Sequence, residues 1–468
     1  MIKLSALREK HPRFIYEKYD WKISSSGLEI LFDFRLMPDI KFQPKILIEN
    51  VRQAQIEKIG KRTLDNLVFN LGLAEMISYW KAACSPEIMI NAGPLSAEQK
   101  KWWQWLVING LGQFFYENKI NFNEPKFLKI TASKPAGSTL SSLKISEKIM
   151  VPMGGGKDSA VTLEILKRAG KDLVCFALNP TRDTEGIIKA AGCKNPIFAR
   201  RQIDPKLVEL NQKGYLNGHT PFSAYLAFLT TLSAALFDCR HIAVSNERSS
   251  NEATLKYLNK NINHQWSKTF SFERSFRKYS QKYLIRQSDY FSFLRPLYEI
   301  QIARIFAGFE KYQLIFLSCN EAYKTYSGTK TPTGTWCANC SKCLFAFIIL
   351  YPFIAKEEMI KIFGQNIFEN KYLLETAKEL IGEKPAKPLE CVGTREESNI
   401  AFYLSLAKAR QELPNSDLPL LLAYFEKNIR PEKKNWPKEA EKMLSSWNKQ
   451  NSLPKGFDEI LKRSCQIK

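Results

Sequence analysis

The first 130 residues combine strand-like and helix-like spacing of apolar side chains. Apolar and polar positions alternate with period two at 13–16, 28–34 and 45–48, which predicts three strands. From Asp65 to about Tyr116, apolar and aromatic residues recur at helical spacing. We therefore expect an N-terminal α+β domain over residues 1–131.

After residue 148 the pattern changes to short apolar segments that alternate with helical ones. Strands are predicted at 148–153, 173–178, 196–199, 241–244 and 314–317, and helices at 158–169, 184–191 and 222–237. Strands that alternate with helices in this way indicate an α/β fold with a central parallel sheet covered on both faces.

Composition and apolar spacing divide the chain after residue 131 into a linker, an α/β domain and a C-terminal region. Residues 132–147 are rich in small and turn-forming residues and are the predicted linker. The α/β domain is expected over 148–354. From 355 to 468 the spacing is mostly helical and the charge density is higher, so we expect a C-terminal helical region.

The composition is that of a folded, basic protein. Of the 468 residues 44% are apolar and 25% are charged, which excludes a wholly disordered or fibrous chain. The net charge of +22 fits a surface for nucleic acid or another polyanion, and it equally fits a general compositional bias towards lysine. Because the lysines are scattered, charge does not decide between RNA and a small anionic substrate.

Neither export nor membrane insertion is expected. Residues 1–10 lack the apolar stretch of a secretory signal. The longest uninterrupted apolar run, 344–355, is shorter than the roughly 20 residues that span a bilayer, and it contains Pro352. We expect a cytoplasmic protein.

A run of glycines lies where a predicted strand passes into a predicted helix. It consists of Gly154, Gly155, Gly156, Lys157, Asp158 and Ser159. Glycines permit positive φ and close approach of a ligand, and the N–H groups and dipole of a helix start attract an anion. Lys157 adds a cation and Ser159 a hydroxyl donor. The segment is therefore a predicted phosphate-binding loop, distinct from the Walker A and dinucleotide patterns.

The loop resembles the pyrophosphate loop (PP-loop) of the N-type ATP pyrophosphatases, Ser-Gly-Gly-x-Asp-Ser, with Gly154 in place of its first serine. The resemblance implies a sheet of the adenine-nucleotide alpha-hydrolase-like type that binds ATP and cleaves it between the α- and β-phosphates. It also implies that Asn179, after the second strand, lies near the adenosine. Mg²⁺ prefers phosphate oxygens with one or two carboxylates, so Asp158 is a candidate partner of the ion.

Four of the ten cysteines are spaced like metal ligands. Cys337, Cys340 and Cys343 stand at two-residue intervals, and Cys319 can supply a fourth sulfur, which suits structural zinc. An iron–sulfur cluster and free thiols are the alternatives. The arrangement is similar to that of the 7-cyano-7-deazaguanine synthases, which are PP-loop enzymes with a zinc knuckle after the last core strand.

The other six cysteines are dispersed along the sequence. Without a sign of export, a disulfide framework is not expected, and most of these side chains are predicted to be small buried groups.

Polar residues follow the predicted strand 241–244, at the edge where open α/β sheets bind ligands. Glu247, Arg248 and Asn251 could hold a metal, a phosphate or an amino-acid group, or form a solvated loop. His264, one of four histidines, can transfer protons near neutrality, with a packed, hydrogen-bonded histidine as the alternative.

Segments 246–252, 263–268, 336–343 and 390–394 resemble the UDP-N-acetylmuramoyl-L-alanyl-L-glutamate epimerase family, and the likeness extends over nearly the whole chain. This resemblance implies inversion of the terminal L-Glu of a peptidoglycan precursor, a UDP-sugar dipeptide, with conversion of ATP to AMP and pyrophosphate.

An acyl adenylate would remove the carboxylate charge that makes the neighbouring α-hydrogen a very weak acid. For proton transfer we nominate His264 and Glu247, with Lys268 and Cys391 as further candidates; Cys391 could equally be a buried, inert thiol. Asp158 is the catalytic partner of the phosphates. The predicted substrate contacts are Arg248, Asn251 and Lys268, with solvated cations as the alternative for Arg248 and Lys268.

Two other classes of enzyme fit the same motifs. One is a PP-loop enzyme that modifies RNA or a nucleobase, for which the positive charge and exposed aromatic residues would be suited. The other is an adenylate-forming ligase, in which ammonia or an amine captures the activated carboxylate. Under the epimerase interpretation nucleic acid is not an expected partner, although the charge does not exclude it.

Overall fold

The computed structural model describes residues 2–134, 143–323, 334–412, 417–432 and 435–465. The strands within these ranges are β1 (Arg13–Ser24), β2 (Gly27–Leu36), β3 (Ile40–Phe42), β4 (Lys45–Glu49), β5 (Glu87–Pro94), β6 (Lys129–Lys134), β7 (Lys148–Pro152), β8 (Leu173–Leu178), β9 (Ile197–Gln202), β10 (Cys239–Val244), β11 (Leu255–Tyr257), β12 (Lys260–Ile262) and β13 (Asp289–Ser292).

The α-helices in the first two thirds of the chain are α1 (Leu4–Lys10), α2 (Gln53–Ile59), α3 (Lys61–Trp80), α4 (Ala97–Gly110), α5 (Gly112–Glu117), α6 (Lys157–Arg168), α7 (Arg182–Ala190), α8 (Pro205–Gln212), α9 (Phe222–Leu236), α10 (Phe270–Tyr283), α11 (Glu299–Ala307) and α12 (Glu310–Gln313). Those that follow are α13 (Ser341–Leu350), α14 (Lys356–Phe363), α15 (Leu374–Ile381), α16 (Arg395–Glu412), α17 (Leu420–Asn428), α18 (Trp436–Leu444) and α19 (Phe457–Cys465).

Eleven of the described strands form one sheet in the order β13-β10-β7-β8-β9-β4-β2-β1-β5-β6, with β3 beside β2. From β13 to β9 all neighbours are parallel. The N-terminal strands join this parallel part through β4, which pairs antiparallel with β9 and places Ile46 opposite Arg201. The chain is therefore mixed α/β, and one sheet runs through the predicted units 1–131 and 148–354.

The parallel strands are buried on both faces. In β7, Ile149 and Val151 pack into one hydrophobic core while Met150 packs into the other. Phe176 of β8 and Ile242 of β10 lie on the same side as Met150. Because successive side chains of a strand point to opposite faces, a strand between two cores has to be apolar throughout, as its sequence is.

Most of the predicted strands are confirmed, within a few residues, as β1, β2, β4 and β7 to β10. The prediction of a strand at 314–317 is wrong. This segment is irregular, and its Leu317 N–H donates to the carbonyl of Gly155 at 2.9 Å, so it packs against the glycine loop instead of extending the sheet. The parallel part of the sheet ends at β13.

Helices dominate after residue 340, and the C-terminal helical region is confirmed. Its apolar faces pack into the core that also contains Ile149 and Val151 of β7. Part of the predicted linker, 135–142, lies outside the described residues, and the domain boundaries stay a prediction. Over the described ranges no helix combines the length and hydropathy needed to cross a bilayer.

Five of the six dispersed cysteines divide into two groups, and the sixth, Cys391, is a free, half-buried thiol. Cys84, Cys239 and Cys465 are buried free thiols, as predicted. Cys175 of β8 and Cys193 instead form a disulfide, since the turn after α7 brings Cys193 next to the strand. For this pair the expectation of separate buried thiols is wrong.

Candidate active site

The glycine loop connects the carboxyl end of β7 to the first turn of α6. Gly156 occupies the position before the helix and offers no side chain to cap it, and within the described chain no other side chain caps this helix start. Its first N–H groups are thus available to an anion. Gly155 has a φ of 78°, in the left-handed region that favours glycine. A Cβ on Gly154 would meet nothing within 4 Å, so the loop leaves open space above its backbone.

The loop lines a cavity of about 250 Å³ at the carboxyl edge of the parallel strands. The other polar groups on its wall are Ser223, Ser245, Asn246, Lys268, Glu299, Ser318, Lys342 and Cys391. Helix α13 supplies apolar contacts through Phe345, Ala346 and Ile349. This is the edge at which open parallel sheets bind ligands.

Three carboxyl groups converge on one side of the cavity. Oxygens of Asp158, Glu247 and Glu299 all lie within 4.8 Å of one another, and Lys157 donates to both Asp158 and Glu299. Burial, followed by the negative charge of Asp158, raises the pKa of Glu299 to about 8 although Lys157 opposes the shift. Burial likewise raises the pKa of Glu247, against the charge of Lys268. Such a group of hard oxygen ligands can hold a divalent cation such as Mg²⁺.

A buried ammonium lies beside a thiol on another wall of the cavity. Lys268 Nζ is 3.4 Å from Cys391 Sγ and donates to Gln265 Oε1 at 3.2 Å. Burial lowers the pKa of Lys268, but the charges of Cys391, Glu247 and Asp158 outweigh this effect and hold it above its usual value. Lys268 is therefore a fixed cation at neutral pH.

A buried arginine holds the two loops that carry Glu247 and Lys268. Arg295 is completely buried, and its guanidinium donates to the backbone carbonyls of both residues, at 2.6 Å in the case of Glu247. It also donates to Ser250 Oγ at 2.9 Å and pairs with the buried Glu273 at 3.2 Å. The positions of these two charged residues thus depend on one side chain.

The four clustered cysteines come together at the amino end of α13. The sulfurs of Cys319, Cys337, Cys340 and Cys343 all lie within 4.8 Å of one another. Cys343 Sγ is 3.6 Å from that of Cys337 and 3.5 Å from that of Cys340. Sulfurs bound to one tetrahedral zinc at about 2.3 Å stand about 3.8 Å apart. The cluster could therefore hold a metal ion such as zinc.

Most of the site residues predicted in the glycine loop line the first cavity. Of those predicted in segments 246–252 and 263–268, only some lie there. Gly154, Gly156, Lys157, Asp158, Ser159 and Lys268 line the cavity. Gly155 lies beneath it, and Glu247 contributes to the carboxyl cluster.

His264 lies elsewhere, in the wall of a second cavity of about 510 Å³. Its Nδ1 is hydrogen-bonded to Gln113 Oε1, and burial with the charge of Lys268 lowers its pKa to about 4.

The remaining predicted ligands serve local structure. The Asn179 amide exchanges hydrogen bonds of 2.8 and 3.2 Å with the backbone of Arg201. The Arg248 guanidinium covers the ring of Tyr298 at 4.2 Å. Asn251 accepts from the Phe270 N–H at 2.8 Å. Neither Asn179, Arg248 nor Asn251 lines the two cavities that the described residues form around the glycine loop and His264.

Three site residues were missed in the sequence. Glu299 begins α11, Arg295 precedes it in an apolar segment, and Lys342 follows the Cys340 ligand position. The neighbouring motif could have pointed to Lys342. No local pattern distinguishes Glu299 or Arg295, because Glu299 contacts Lys157, 142 positions away, and Arg295 contacts Glu247, 48 positions away.

Two family models cover most of the chain. The model described as the MurL N-terminal domain matches residues 6–293, and that described as the MurL C-terminal domain matches residues 315–435. Together they include the glycine loop, Asp158 and Glu247 of the carboxyl cluster, the four clustered cysteines and Cys391, whereas Glu299 lies between the two matched ranges.

Curated relatives share the same name, UDP-N-acetyl-alpha-D-muramoyl-L-alanyl-L-glutamate epimerase. The protein of Micromonospora sp. is 35% identical over 73% of this chain and 75% of its own length. That of Salinispora tropica is 33% identical over 84% of both chains, and that of Xanthomonas oryzae pv. oryzae is 33% identical over 72% of this chain and 74% of its own. No solved structure matches this chain.

The glycine loop gives a direct test of backbone conformation. Gly155→Ala forces a side chain into the left-handed region and 3.0 Å from Thr184 Oγ1. We expect it to lower the free energy of unfolding by about 1–2 kcal/mol. Gly154→Ala is the matched control, with open space around its Cβ, and should change it by less than about 0.5 kcal/mol. Urea denaturation followed by circular dichroism measures both. Equal effects of the two variants would contradict the assigned loop conformation.

Proposed function

The chain belongs to the MurL family, and from this membership we propose that it inverts the terminal L-glutamate of UDP-N-acetylmuramoyl-L-alanyl-L-glutamate in an ATP-dependent reaction. One observation carries the proposal: the phosphate-binding loop, the carboxyl groups of Asp158 and Glu299 and the Lys268–Cys391 pair line a single cavity, and the Glu247 carboxyl lies directly beside the first two. Such a site can activate a carboxylate and move the neighbouring proton without releasing the substrate. Because ATP and UDP-linked sugars are cytoplasmic metabolites, we propose a cytoplasmic location.

We propose further that the sheet is of the PP-loop type. The glycine loop follows β7, which lies between β8 and β10 in the parallel part of the sheet. Nucleotides bind at the carboxyl edge of such sheets, near strands whose connections diverge to opposite sides. The position of the loop therefore supports an ATP site at this edge.

The residues at the loop fit the triphosphate of ATP. The uncapped start of α6 offers N–H donors, and the space above Gly154 is the cradle that a Cβ would fill. Asp158 and Glu299, which line the cavity, would hold the Mg²⁺ that accompanies ATP. When bound, this ion supplies positive charge to the phosphates and favours departure of pyrophosphate.

We propose that activation proceeds by adenylation of the terminal α-carboxylate. A carboxylate oxygen bonds to the α-phosphorus as the bond to the β-phosphate oxygen breaks, and pyrophosphate leaves. The resulting mixed anhydride is uncharged at its carbonyl, so loss of the α-proton no longer places a second charge beside a carboxylate. After inversion, water cleaves the anhydride to release AMP and the carboxylate of the D-glutamyl product.

For proton removal we propose Cys391 in place of the predicted His264. The thiol lines the same cavity as the phosphate loop, and the Lys268 ammonium at 3.4 Å would balance the charge of its thiolate. His264 faces the second cavity and binds Gln113, which separates it from the loop. Glu247 remains the candidate acid, because burial raises the pKa of its carboxyl group and thereby favours the protonated form.

The first prediction concerns the complete reaction. Purified protein with Mg-ATP and UDP-N-acetylmuramoyl-L-alanyl-L-glutamate should yield AMP, pyrophosphate and D-glutamate after hydrolysis, measured by chiral chromatography. Asp158→Ala should lower the rate at least about 100-fold, since it removes a carboxylate from the phosphate site. Asp172→Ala, the same change at an exposed position before β8, is the control.

Other outcomes of this assay have distinct meanings. AMP formation without inversion would favour a ligase that lacks its acceptor. Absence of any ATP turnover would contradict the proposal and direct the search to RNA substrates, beginning with tRNA.

Cys391→Ser tests the proton-transfer step separately. We expect inversion, and incorporation of deuterium from D₂O at the α-carbon, to fall by about 10²- to 10⁴-fold because a serine hydroxyl is a far weaker base. Pyrophosphate release should persist, since the phosphate loop is unchanged. Cys465→Ser, on α19, is the matched control. Unchanged deuterium incorporation in the Cys391 variant would exclude this thiol as the base.

We propose that the metal of the four-cysteine cluster is zinc. Elemental analysis of the purified protein should find about one zinc per chain and no stoichiometric iron. Cys340→Ser should lose the zinc and lower the melting temperature, because a closed site contributes folding energy. Cys465→Ser should retain the metal. Two or more iron atoms per chain, or no metal at all, would contradict the zinc assignment.

A further inference from the structure

The second cavity borders the candidate active site. Two pairs of consecutive residues are shared between the cavities. Glu390 lines the second cavity and Cys391 the first, and Phe222 lines the second cavity and Ser223 the first. Lys342 of the first cavity donates to Asn320 of the second at 3.3 Å. A ligand whose reacting end lies beside Cys391 would therefore have its remainder close to, or within, this larger space of about 510 Å³.

The wall of the second cavity presents mainly uncharged donors and acceptors: Gln113, Asn211, Asn217, Thr220, His219 and His264. The two imidazole rings stand 4.8 Å apart. Burial lowers the pKa of His219 to about 3 and that of His264 to about 4, so both rings are neutral at physiological pH. Each neutral imidazole offers one donor and one acceptor, which suits hydroxyl and amide groups.

The charged side chains on this wall already have partners. Arg201 forms a bidentate pair with the buried Glu75, with Nε and Nη2 each 2.8 Å from a carboxylate oxygen. Lys81 donates to the Gly218 carbonyl, and Glu117 accepts from Gln113 at 2.8 Å. Glu390 accepts from Ser341 Oγ at 2.6 Å. The charge of Arg201 is thus neutralised by Glu75, and among the described wall residues the Lys81 ammonium, bound to a neutral carbonyl, is the one cation left for a diphosphate.

Two buried polar atoms at this cavity lack partners. Within the described part of the chain, neither the Tyr225 hydroxyl nor Asn211 Oδ1 makes a hydrogen bond, although both atoms are shielded from solvent. Buried polar atoms of native proteins are nearly always hydrogen-bonded. Both residues line the cavity, and a small shift of each side chain would turn its shielded atom towards a ligand, to which the hydroxyl can donate and from which the amide oxygen can accept.

We propose that the second cavity binds the uncharged amino-sugar and alanyl portion of the substrate, the N-acetylmuramoyl-L-alanyl unit, while its diphosphate lies outside. This inference rests on the proposed function, because that function supplies a substrate whose acetamido, hydroxyl and peptide groups match the wall. The volume lies within the range of small-molecule sites, about 300–1,000 Å³. The terminal glutamate would then reach the border between the cavities, at Cys391.

The test uses N-acetylmuramoyl-L-alanine amide, an uncharged probe without glutamate or UDP, in calorimetric titration of the full chain. The wild type should bind it, and Tyr225→Phe and Asn211→Leu should each weaken binding about three- to tenfold, the worth of one neutral hydrogen bond. Tyr372→Phe, the same change at a residue that is 75% exposed, is the matched control. Urea denaturation shows that each variant is folded.

Kinetics and a second probe complete the test. With the full substrate, the two cavity variants should raise KM by more than they lower kcat. Uridine diphosphate should bind the variants and the wild type equally. Failure of the wild type to bind the uncharged probe, or a larger loss for uridine diphosphate than for the probe, would overturn the inference. If the probe binds and the variants weaken it but no epimerisation occurs, the proposed function fails while the assignment of the cavity stands.

Discussion

A guanidinium that is buried away from solvent needs hydrogen-bond acceptors within the protein, and the acceptors of Arg295 lie on separate segments of the chain. It binds the carbonyls of Glu247 and Lys268 and pairs with Glu273. Removing one member of a buried pair leaves an uncompensated charge, which commonly costs 3–5 kcal/mol. The loops after β10 and before α10 are therefore not free to move independently. Glu247 of the carboxyl cluster and Lys268 keep their relative positions because this one side chain binds both of their backbone carbonyls.

Because buried charges need partners, the charged side chains of the site also lie in groups. Lys157 is buried against Asp158 and Glu299, so the ammonium of the phosphate loop is neutralised by carboxylates before any anion arrives. Burial, and after it the negative charge of Asp158, raises the pKa of Glu299, so this carboxyl group holds a proton more tightly than an isolated one. A divalent cation among these carboxylates would replace such protons and release Lys157 towards a phosphate. The ion and the nucleotide would then favour each other's binding.

The parts of this site that could be predicted from the sequence are those whose residues are neighbours in the chain. The glycine loop and the Cys337–Cys343 spacing each place several ligands within seven positions, so the motif itself contains the geometry. Glu299 and Arg295 could not be found in this way because the fold brings them to their partners. The strand at 314–317 was predicted wrongly for a related reason: an apolar run fits a strand or a buried loop, and only the packing against Gly155 decides. His264 was predicted as a catalytic residue but lines the second cavity, and local pattern could not tell which of the two adjacent cavities it faces.

The cysteine cluster is linked through hydrogen bonds to Cys391, the candidate base, although the two are far apart in the sequence. Cys340 Sγ accepts from the Cys343 N–H at the start of α13, so the ligand loop and the first helical turn are one unit. Glu390 accepts from Ser341 Oγ and from the Lys342 N–H of that turn, and Cys391 follows it directly. A metal that fixes the four sulfurs would fix this turn, and through Glu390 it would fix the thiol. The cluster therefore need not touch the substrate to matter for catalysis, since it determines where the segment with Cys391 is anchored.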